Sequence, residues 1–173
     1  MDQINKVKSL SIWIFIVPFV GINTCLILIT QFQGLFPDQE DIIHNTIPYF
    51  DGGASISRTA RPFPSWLIFK PAMFLTSYLL IRYWLYNKGI IELFNKHHKY
   101  INKVVYFGIA SAIALTIHSI FLGIKFDNDL YKLFRRVVML LFISFEIAAQ
   151  AYLVATFYSF KDKLSKYINV KIL

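Results

Sequence analysis

An uncharged apolar run near the N-terminus constrains the fold of this chain more than any other feature. Residues 10–29 contain no Asp, Glu, Lys or Arg. About 20 residues at ~1.5 Å rise per residue cross the ~30 Å hydrocarbon core of a bilayer. A cleaved signal peptide is the competing interpretation, because Lys6 and Lys8 precede the run. The run is long for such a signal and no small-x-small cleavage site follows it. We therefore predict a first membrane span over about residues 10–31.

Three further apolar runs predict three further spans, at about 66–86, 104–124 and 137–160. The chain is 56% hydrophobic and 16% charged, whereas charged residues make up about a quarter of a soluble domain. Too few polar groups are present to cover a soluble domain, so a bilayer is the expected solvent. We predict an all-α, polytopic transmembrane helix bundle of four spans. The 173 residues form a single membrane domain, with a long outer loop over 32–65.

The distribution of basic residues predicts the orientation. Eleven Lys and Arg residues lie in the start, the middle connection with Arg82, and the tail, against six in the two connections on the other side. The richer side is expected to be cytoplasmic, which places both termini inside. Aromatic residues near the predicted span ends fit an interfacial belt: Trp66, Tyr83, Trp84, Tyr86, Tyr100, Tyr106 and Tyr158.

A small set of polar residues lies within the predicted spans. Glu146 falls near mid-bilayer, where a carboxylate is costly and indicates function by default. Gln150 is four residues on, so the two side chains are expected to meet on one helix face. We predict a structural clasp, in which Glu146 is protonated or paired with His118 or Lys70, a polar path for a proton or ion, or an interface with a partner subunit. Lys70 alternatively snorkels to the outer headgroups.

Small residues recur three and four apart in the last two spans, which predicts close helix packing. The third span carries Gly108, Ala112 and Thr116, and also Ala110, Ala114 and His118. The fourth span carries Ala148, Ala151 and Ala155.

The outer loop holds a group of residues suited to an anion. Asp51, Gly52 and Gly53 can turn with positive φ and expose successive backbone N–H groups as an anion nest. Donors and positive charges beside them predict a cradle for a phosphate such as a lipid headgroup: Ser55, Ser57, Arg58, Arg61 and Lys70. The competing interpretation is a structured loop, in which the glycines turn and Ser65 caps the second span.

No catalytic or metal-binding pattern is readable in the sequence, so we expect neither an enzyme nor a cofactor. The loop lacks the lysine and spacing of a P-loop. His44 with Asp41 and Asp51 is too loose a set for a metal or catalytic site. A single cysteine, Cys25, excludes a disulfide within the chain. The basic residues flank apolar runs, which favours topology and anionic lipid over nucleic acid.

Residues 10–86 combine an uncharged first span, an outer loop with Pro48-Tyr49-Phe50-Asp51-Gly52-Gly53, and a proline-flanked second span ending in Arg82-Tyr83. In these features the first half of the chain resembles the FRAG/DRAM/Sfk family of multispan membrane proteins. The family typically has a Pro-Tyr-x-Ser-Asp-x-Gly-like loop at this place. The resemblance implies a role in lipid organisation, lipid-anchor remodelling or membrane stress, without a catalytic motif.

The expected function is that of a non-enzymatic integral membrane protein, either a lipid-interacting factor or an accessory subunit of a membrane complex. Its expected partners are membrane lipids and either another membrane protein or further copies of itself. A multi-pass location in a plasma or inner membrane follows from the predicted spans. The alternative is a small transporter or channel with a polar path through Glu146, Gln150 and His118.

Overall fold

The computed structural model describes residues 2–38, 49–50, 56–124 and 128–165, and within these ranges the regular structure is entirely helical. This confirms the predicted all-α class. The long helices are α1 (Asp2–Gln31), α3 (Trp66–Phe94), α4 (Ile101–Phe121) and α5 (Asp129–Ser159). The short elements are a 3₁₀ turn (Gln33–Leu35), α2 (Ile56–Thr59) and α6 (Lys161–Leu164).

The helix ends differ from the ends of the apolar runs, because helical hydrogen bonding ends at capping signals and not where hydrophobicity falls. α3 continues past the predicted end at residue 86 to Phe94, so Arg82 lies inside the helix. α5 begins at Asp129 and not at 137, since the side chain of Asn128 accepts a bond of 2.9 Å from the Leu130 amide and caps the helix. α4 ends at Phe121, two residues before Gly123, whose φ of 91° suits glycine.

Three of the long helices are long and apolar enough to cross a membrane: α1, α4 and α5. α3 has sufficient length, at 29 residues, but is not among them. Four charged residues reduce its hydropathy: Lys70, Arg82, Lys88 and Glu92. The predicted second span is therefore present as a helix, but unlike the other three it has no stretch apolar enough to count as a membrane span by composition.

Each long helix packs antiparallel against the next long helix in the chain. In the α1–α3 pair, Gly89 lies against the side chain of Gln3 at one end, and the thiol of Cys25 donates to the Ser65 carbonyl, at 3.3 Å, at the other. α3 packs on α4, and α4 packs on α5. The principal contacts thus follow the order α1, α3, α4, α5, with α1 and α5 at the ends of the row.

Trp84 occupies the centre of the packed core between α3 and α4. Its side chain is fully buried and lies against Gly108, where a Cβ atom would come within 2.3 Å of the indole ring. The prediction that Trp84 belongs to an interfacial aromatic belt is therefore wrong. The physical reason is that α3 continues for ten more residues, which places this ring inside the packed layer and not at a helix end.

Small residues allow close contact in two of the helix pairs. Ala112 and Ala114 of α4 are buried, in agreement with the predicted small-residue packing of that helix. Gly21 of α1 lies against Ala72 of α3, where a Cβ atom on residue 21 would come within 2.7 Å of the Ala72 methyl group. On α5, by contrast, Ala151 and Ala155 are exposed, so this part of the predicted stripe contacts no other described helix closely.

Ser65 precedes α3 at the capping position, but its hydroxyl makes no capping bond. The residue has helical dihedrals, with φ −55° and ψ −39°, whereas a capping side chain normally needs an extended backbone. The prediction that its side chain caps the second span is wrong. Its carbonyl oxygen is used instead, and accepts bonds from the Phe69 amide and the Cys25 thiol.

Replacing Gly108 by Ala should destabilise the protein by about 1–3 kcal/mol, since a new methyl group collides with a fully buried ring. Gly34→Ala is the matched control, because nothing lies within 4 Å of the Cβ position there. Thermal unfolding in a mild detergent, followed by the loss of the monodisperse size-exclusion peak, measures both variants. Equal stability of the two variants would contradict the close α3–α4 contact.

Candidate functional site

Glu146 lies near the middle of α5 and is held by two neutral donors. The hydroxyl of Ser111 on α4 donates to Oε2 at 2.6 Å, and the amide of Gln150 donates to Oε1 at 3.1 Å. The expected contact between Glu146 and Gln150 is thus confirmed. Ser111 is fully buried, whereas Glu146 is half-buried and Gln150 is exposed. Within the described ranges, no cation lies against this carboxylate.

Tyr83 connects this carboxylate cluster to α3. Its largely buried phenol lies close to the side chains of Asn87, Gln150 and Glu146. The amide nitrogen of Asn87 donates to the Tyr83 carbonyl at 2.9 Å. Three helices therefore contribute to one polar cluster, which consists of Tyr83, Asn87, Ser111, Glu146 and Gln150.

His118 is not part of this polar cluster. It lies seven residues from Ser111, about two turns along α4, and its neighbour is Arg135 on α5. Lys70 is also occupied elsewhere, since its ammonium donates to the Ile120 carbonyl at 3.3 Å. The predicted pairing of Glu146 with His118 or Lys70 is wrong. The antiparallel register of α4 and α5 places Ser111, and not His118, opposite Glu146.

Four basic side chains converge instead where α4 ends and α3 begins. Lys70 bonds to Ile120, the carbonyl and Cγ of Arg61 lie beside Gly123, and His118 lies beside Arg135. We call this group, Arg61, Lys70, His118 and Arg135, the basic end. Part of its charge complements the carbonyl groups at the C-terminus of α4, as at other helix C-termini.

The predicted anion loop falls only partly within the described residues. Asp51, Gly52, Gly53 and Ser55 lie outside them, so the predicted nest has no structural description. Ser57 and Arg58 belong to the short helix α2, and the Arg58 side chain is exposed. Arg61 and Lys70 belong to the basic end. The structure thus brings together two of the predicted anion-binding residues and adds His118 and Arg135 to them.

An open groove of about 780 Å³ runs along the surface of α5 beside Glu146. Its lining residues all come from α5: Glu146, Ile147, Gln150, Ala151, Val154, Ala155 and Tyr158. Small side chains at positions 151 and 155 form its floor, and the carboxylate and amide stand at one end. Most of this surface is apolar, which is expected for a helix face that meets lipid or another helix.

Sequence reasoning missed Ser111 and Arg135, which gave no individual signal, because only the helix register shows what they face. It also missed the contacts of Arg82, which lies outside both sites. Here the spacing Tyr78-x₃-Arg82-x₃-Tyr86 did give a signal, since residues four apart lie on one helix face. The guanidinium donates to both hydroxyls, at 3.1 Å to Tyr78 and by a short bond to Tyr86, and lies over both rings.

The described residues contain no group of three or more His, Cys, Asp or Glu side chains that could hold a metal ion. Comparison of the chain with protein-family models, with curated proteins and with solved structures finds no significant match. The two sites are therefore interpreted from their own geometry: a polar cluster within the helices and a basic end.

Ser111→Ala should destabilise the protein by about 1 kcal/mol, because it removes the hydrogen bond that joins α4 to Glu146. Ser119→Ala is a matched control on the same helix. Its hydroxyl is equally buried but bonds only to the Leu115 carbonyl of its own helix. Titration with a denaturing detergent, followed by circular dichroism, compares the two. A Ser119→Ala effect as large as that of Ser111→Ala would contradict a specific role for the interhelical bond.

Proposed function

We propose that this chain is a non-enzymatic, four-span membrane protein that binds anionic lipid headgroups at its basic end. The observation that carries the proposal is that Arg61, Lys70, His118 and Arg135, from the connection before α3 and from α3, α4 and α5, all lie near the end of α4. A role as an accessory subunit of a membrane complex is compatible with the same topology. The resemblance to the FRAG/DRAM/Sfk family agrees with a lipid-related role and remains a prediction.

The antiparallel packing of the helices supports the four-span topology. α3 lies between α1 and α4, both of which are apolar enough to cross a membrane. Its charged residues lie towards its two ends, with the exception of Arg82. The Arg82 guanidinium donates hydrogen bonds to two tyrosine hydroxyls. Together with the excess of Lys and Arg in the termini and middle connection, this arrangement supports the proposed cytoplasmic location of both termini.

Cysteine labelling tests this topology. In a Cys25→Ala background, Gly34→Cys should react with a membrane-impermeant maleimide in intact cells, whereas Lys96→Cys should react only after permeabilisation. Both positions are exposed, and α3 lies between them in the chain. Labelling of both thiols from the same side would show that α3 does not cross the membrane.

The chemistry of the basic end fits a phosphate headgroup. Within the described residues no carboxylate lies against Lys70, His118 or Arg135, and neither Nδ1 of His118 nor Nε of Arg135 has a hydrogen-bond partner. Arginine and lysine make charge-assisted bonds to phosphate oxygens. The indole ring of Trp66 lies 5.3 Å from the Lys70 ammonium, and tryptophan is enriched at the headgroup level.

Replacing Arg61 and Arg135 together by Ala should weaken binding of an anionic lipid by about tenfold or more, at roughly 1 kcal/mol per lost charge. The measurement is titration of the protein, in neutral detergent at low salt, with fluorescent phosphatidylglycerol. Phosphatidylcholine serves as the neutral reference lipid.

Lys96→Ala with Lys99→Ala is the charge-matched control. It removes two exposed cations from the opposite end of the helices. Retained affinity in this control, with loss in the Arg61 and Arg135 variant, is the expected result. Equal losses would show a general attraction to positive charge, and unchanged binding in both would contradict a headgroup site at the basic end.

A second candidate function is a small transporter or channel that uses the polar cluster. Transport is favoured by the contiguous polar side chains of three helices: Tyr83, Ser111, Glu146 and Gln150. Its predicted third residue, His118, lies about two turns away beside Arg135, which lengthens the path that a proton must follow. We therefore rank this function below lipid binding.

A proton-flux assay tests this second function. Proteoliposomes loaded with a pH-sensitive dye should show a flux that falls about tenfold or more in Glu146→Gln, since the substitution removes the carboxyl group from the proposed path. Glu92→Gln is the control, because that carboxylate is exposed and pairs with Lys88 at 3.7 Å. No flux above that of empty vesicles, or the same flux in both variants, would contradict transport.

A further inference from the structure

Two opposite charges lie at the same depth on the surface of this protein and are not paired with each other. Glu146 faces the open groove on α5, and Arg82 is on the exposed face of α3. Their common depth follows from α4: Trp84, two residues after Arg82, lies against Gly108, and Ser111, three residues further along α4, bonds to Glu146. One residue advances a helix by only about 1.5 Å along its axis.

Each of the two charges keeps free bonding capacity. The guanidinium of Arg82 has five N–H donors, and two tyrosine hydroxyls take two of them. The carboxylate of Glu146 has about four acceptor sites, and Ser111 and Gln150 use two of them. In the described parts of the chain neither residue contacts an opposite charge. At the depth of the helix centre an unpaired charge is costly, and such residues pair with one another.

We propose that a second copy of this chain supplies the missing partner, with Arg82 of one copy bonded to Glu146 of the other. This inference rests on the proposed membrane topology. Copies in one membrane share their orientation, and α3 and α5 both run away from the basic end. α3 of one copy therefore lies parallel to α5 of the other, with the two charges in register.

The surfaces around the two charges fit a helix–helix contact. On α3, an exposed stripe repeats at spacings of three and four residues: Leu75, Tyr78, Arg82 and Leu85. This is the spacing of a coiled-coil seam. On α5, exposed Ala151 and Ala155 leave room beside Glu146, and small residues let helix backbones approach closely. The ion pair fixes the register, and the apolar stripes supply the packing.

A second copy explains these features better than an unrelated partner does, because both complementary groups occur on the same chain at matching depth. A pair of identical α5 grooves facing each other is disfavoured, since it would bring two Glu146 carboxylates together. In the α3–α5 contact, by contrast, every charge meets its opposite. Two such contacts satisfy both charges of both copies.

Disulfide cross-linking tests the contact directly. Two copies with different tags are co-expressed in native membranes, one with Leu85→Cys and the other with Ile147→Cys, both in a Cys25→Ala background. Both positions are exposed and lie within one turn of the charged pair. They should form a disulfide, which requires Cα atoms closer than about 7 Å. Ile12→Cys with Ile147→Cys is the control, since Ile12 is equally exposed but lies on α1.

Charge exchange tests the ion pair. Arg82→Glu or Glu146→Arg alone should reduce recovery of one tagged copy with the other by about tenfold, because two like charges then meet. The doubly exchanged protein should return to within about threefold of the natural chain. If the single exchanges fold poorly, Arg82→Gln and Glu146→Gln, which keep hydrogen-bonding capacity, are compared by the same cross-linking yield.

The proposal would be overturned by monomeric protein in native membranes, by cross-linking equal to that of the Ile12 control, or by failure of the doubly exchanged protein to restore recovery of one tagged copy with the other. Capture of a different membrane protein through Glu146, with the chain itself monomeric, would also overturn it. Titration with phosphatidylglycerol separates this outcome from a failure of the proposed function. A monomer that still binds this lipid at the basic end contradicts only the pairing of copies.

Discussion

The cost of placing a polar group in hydrocarbon is the constraint on which the rest of this structure depends. Backbone amides satisfy one another within the long helices, as they must where no water is present. Several buried hydroxyl groups follow the same rule, since Thr76, Ser119 and Thr156 each donate to a carbonyl of their own helix. Among the described residues, the hydroxyls of Ser65 and Ser77 are buried without a hydrogen-bond partner. Against this background, the charged side chains with unused bonding capacity are the informative ones.

These informative side chains separate into two regions with different chemistry. The basic end combines positive charge with unpartnered donors, which suits a phosphate at the headgroup level. The polar cluster around Glu146 is held by neutral donors and opens on an apolar groove, which suits a helix of a second chain. The two regions are separated along α4, because His118 lies about two turns from Ser111. Loss of function at one is therefore expected to leave the other intact.

α3 contributes to the core and to both sites, although it is the one of the four long helices without a stretch apolar enough to count as a membrane span. It contributes Trp84 to the core, Tyr83 to the polar cluster, Lys70 to the basic end and Arg82 to an exposed face. These four side chains meet different surroundings, so they must lie on different faces of the helix. This requirement accounts for its mixed composition better than a role as a simple lipid-facing span does.

The sequence by itself determined the helical class, the apolar segments and the meeting of Glu146 with Gln150, because each depends on residues close together in the chain. Hydrophobicity located the helices but not their ends, since the Asn128 side chain caps the start of α5 and the positive φ of Gly123 follows the end of α4. Only the tertiary structure decided that Ser111 and not His118 faces Glu146, that Trp84 is buried, and that Arg135 joins the basic end. These contacts depend on the register and rotation of one helix against another, and a single residue's shift turns a side chain by about 100° at 3.6 residues per turn.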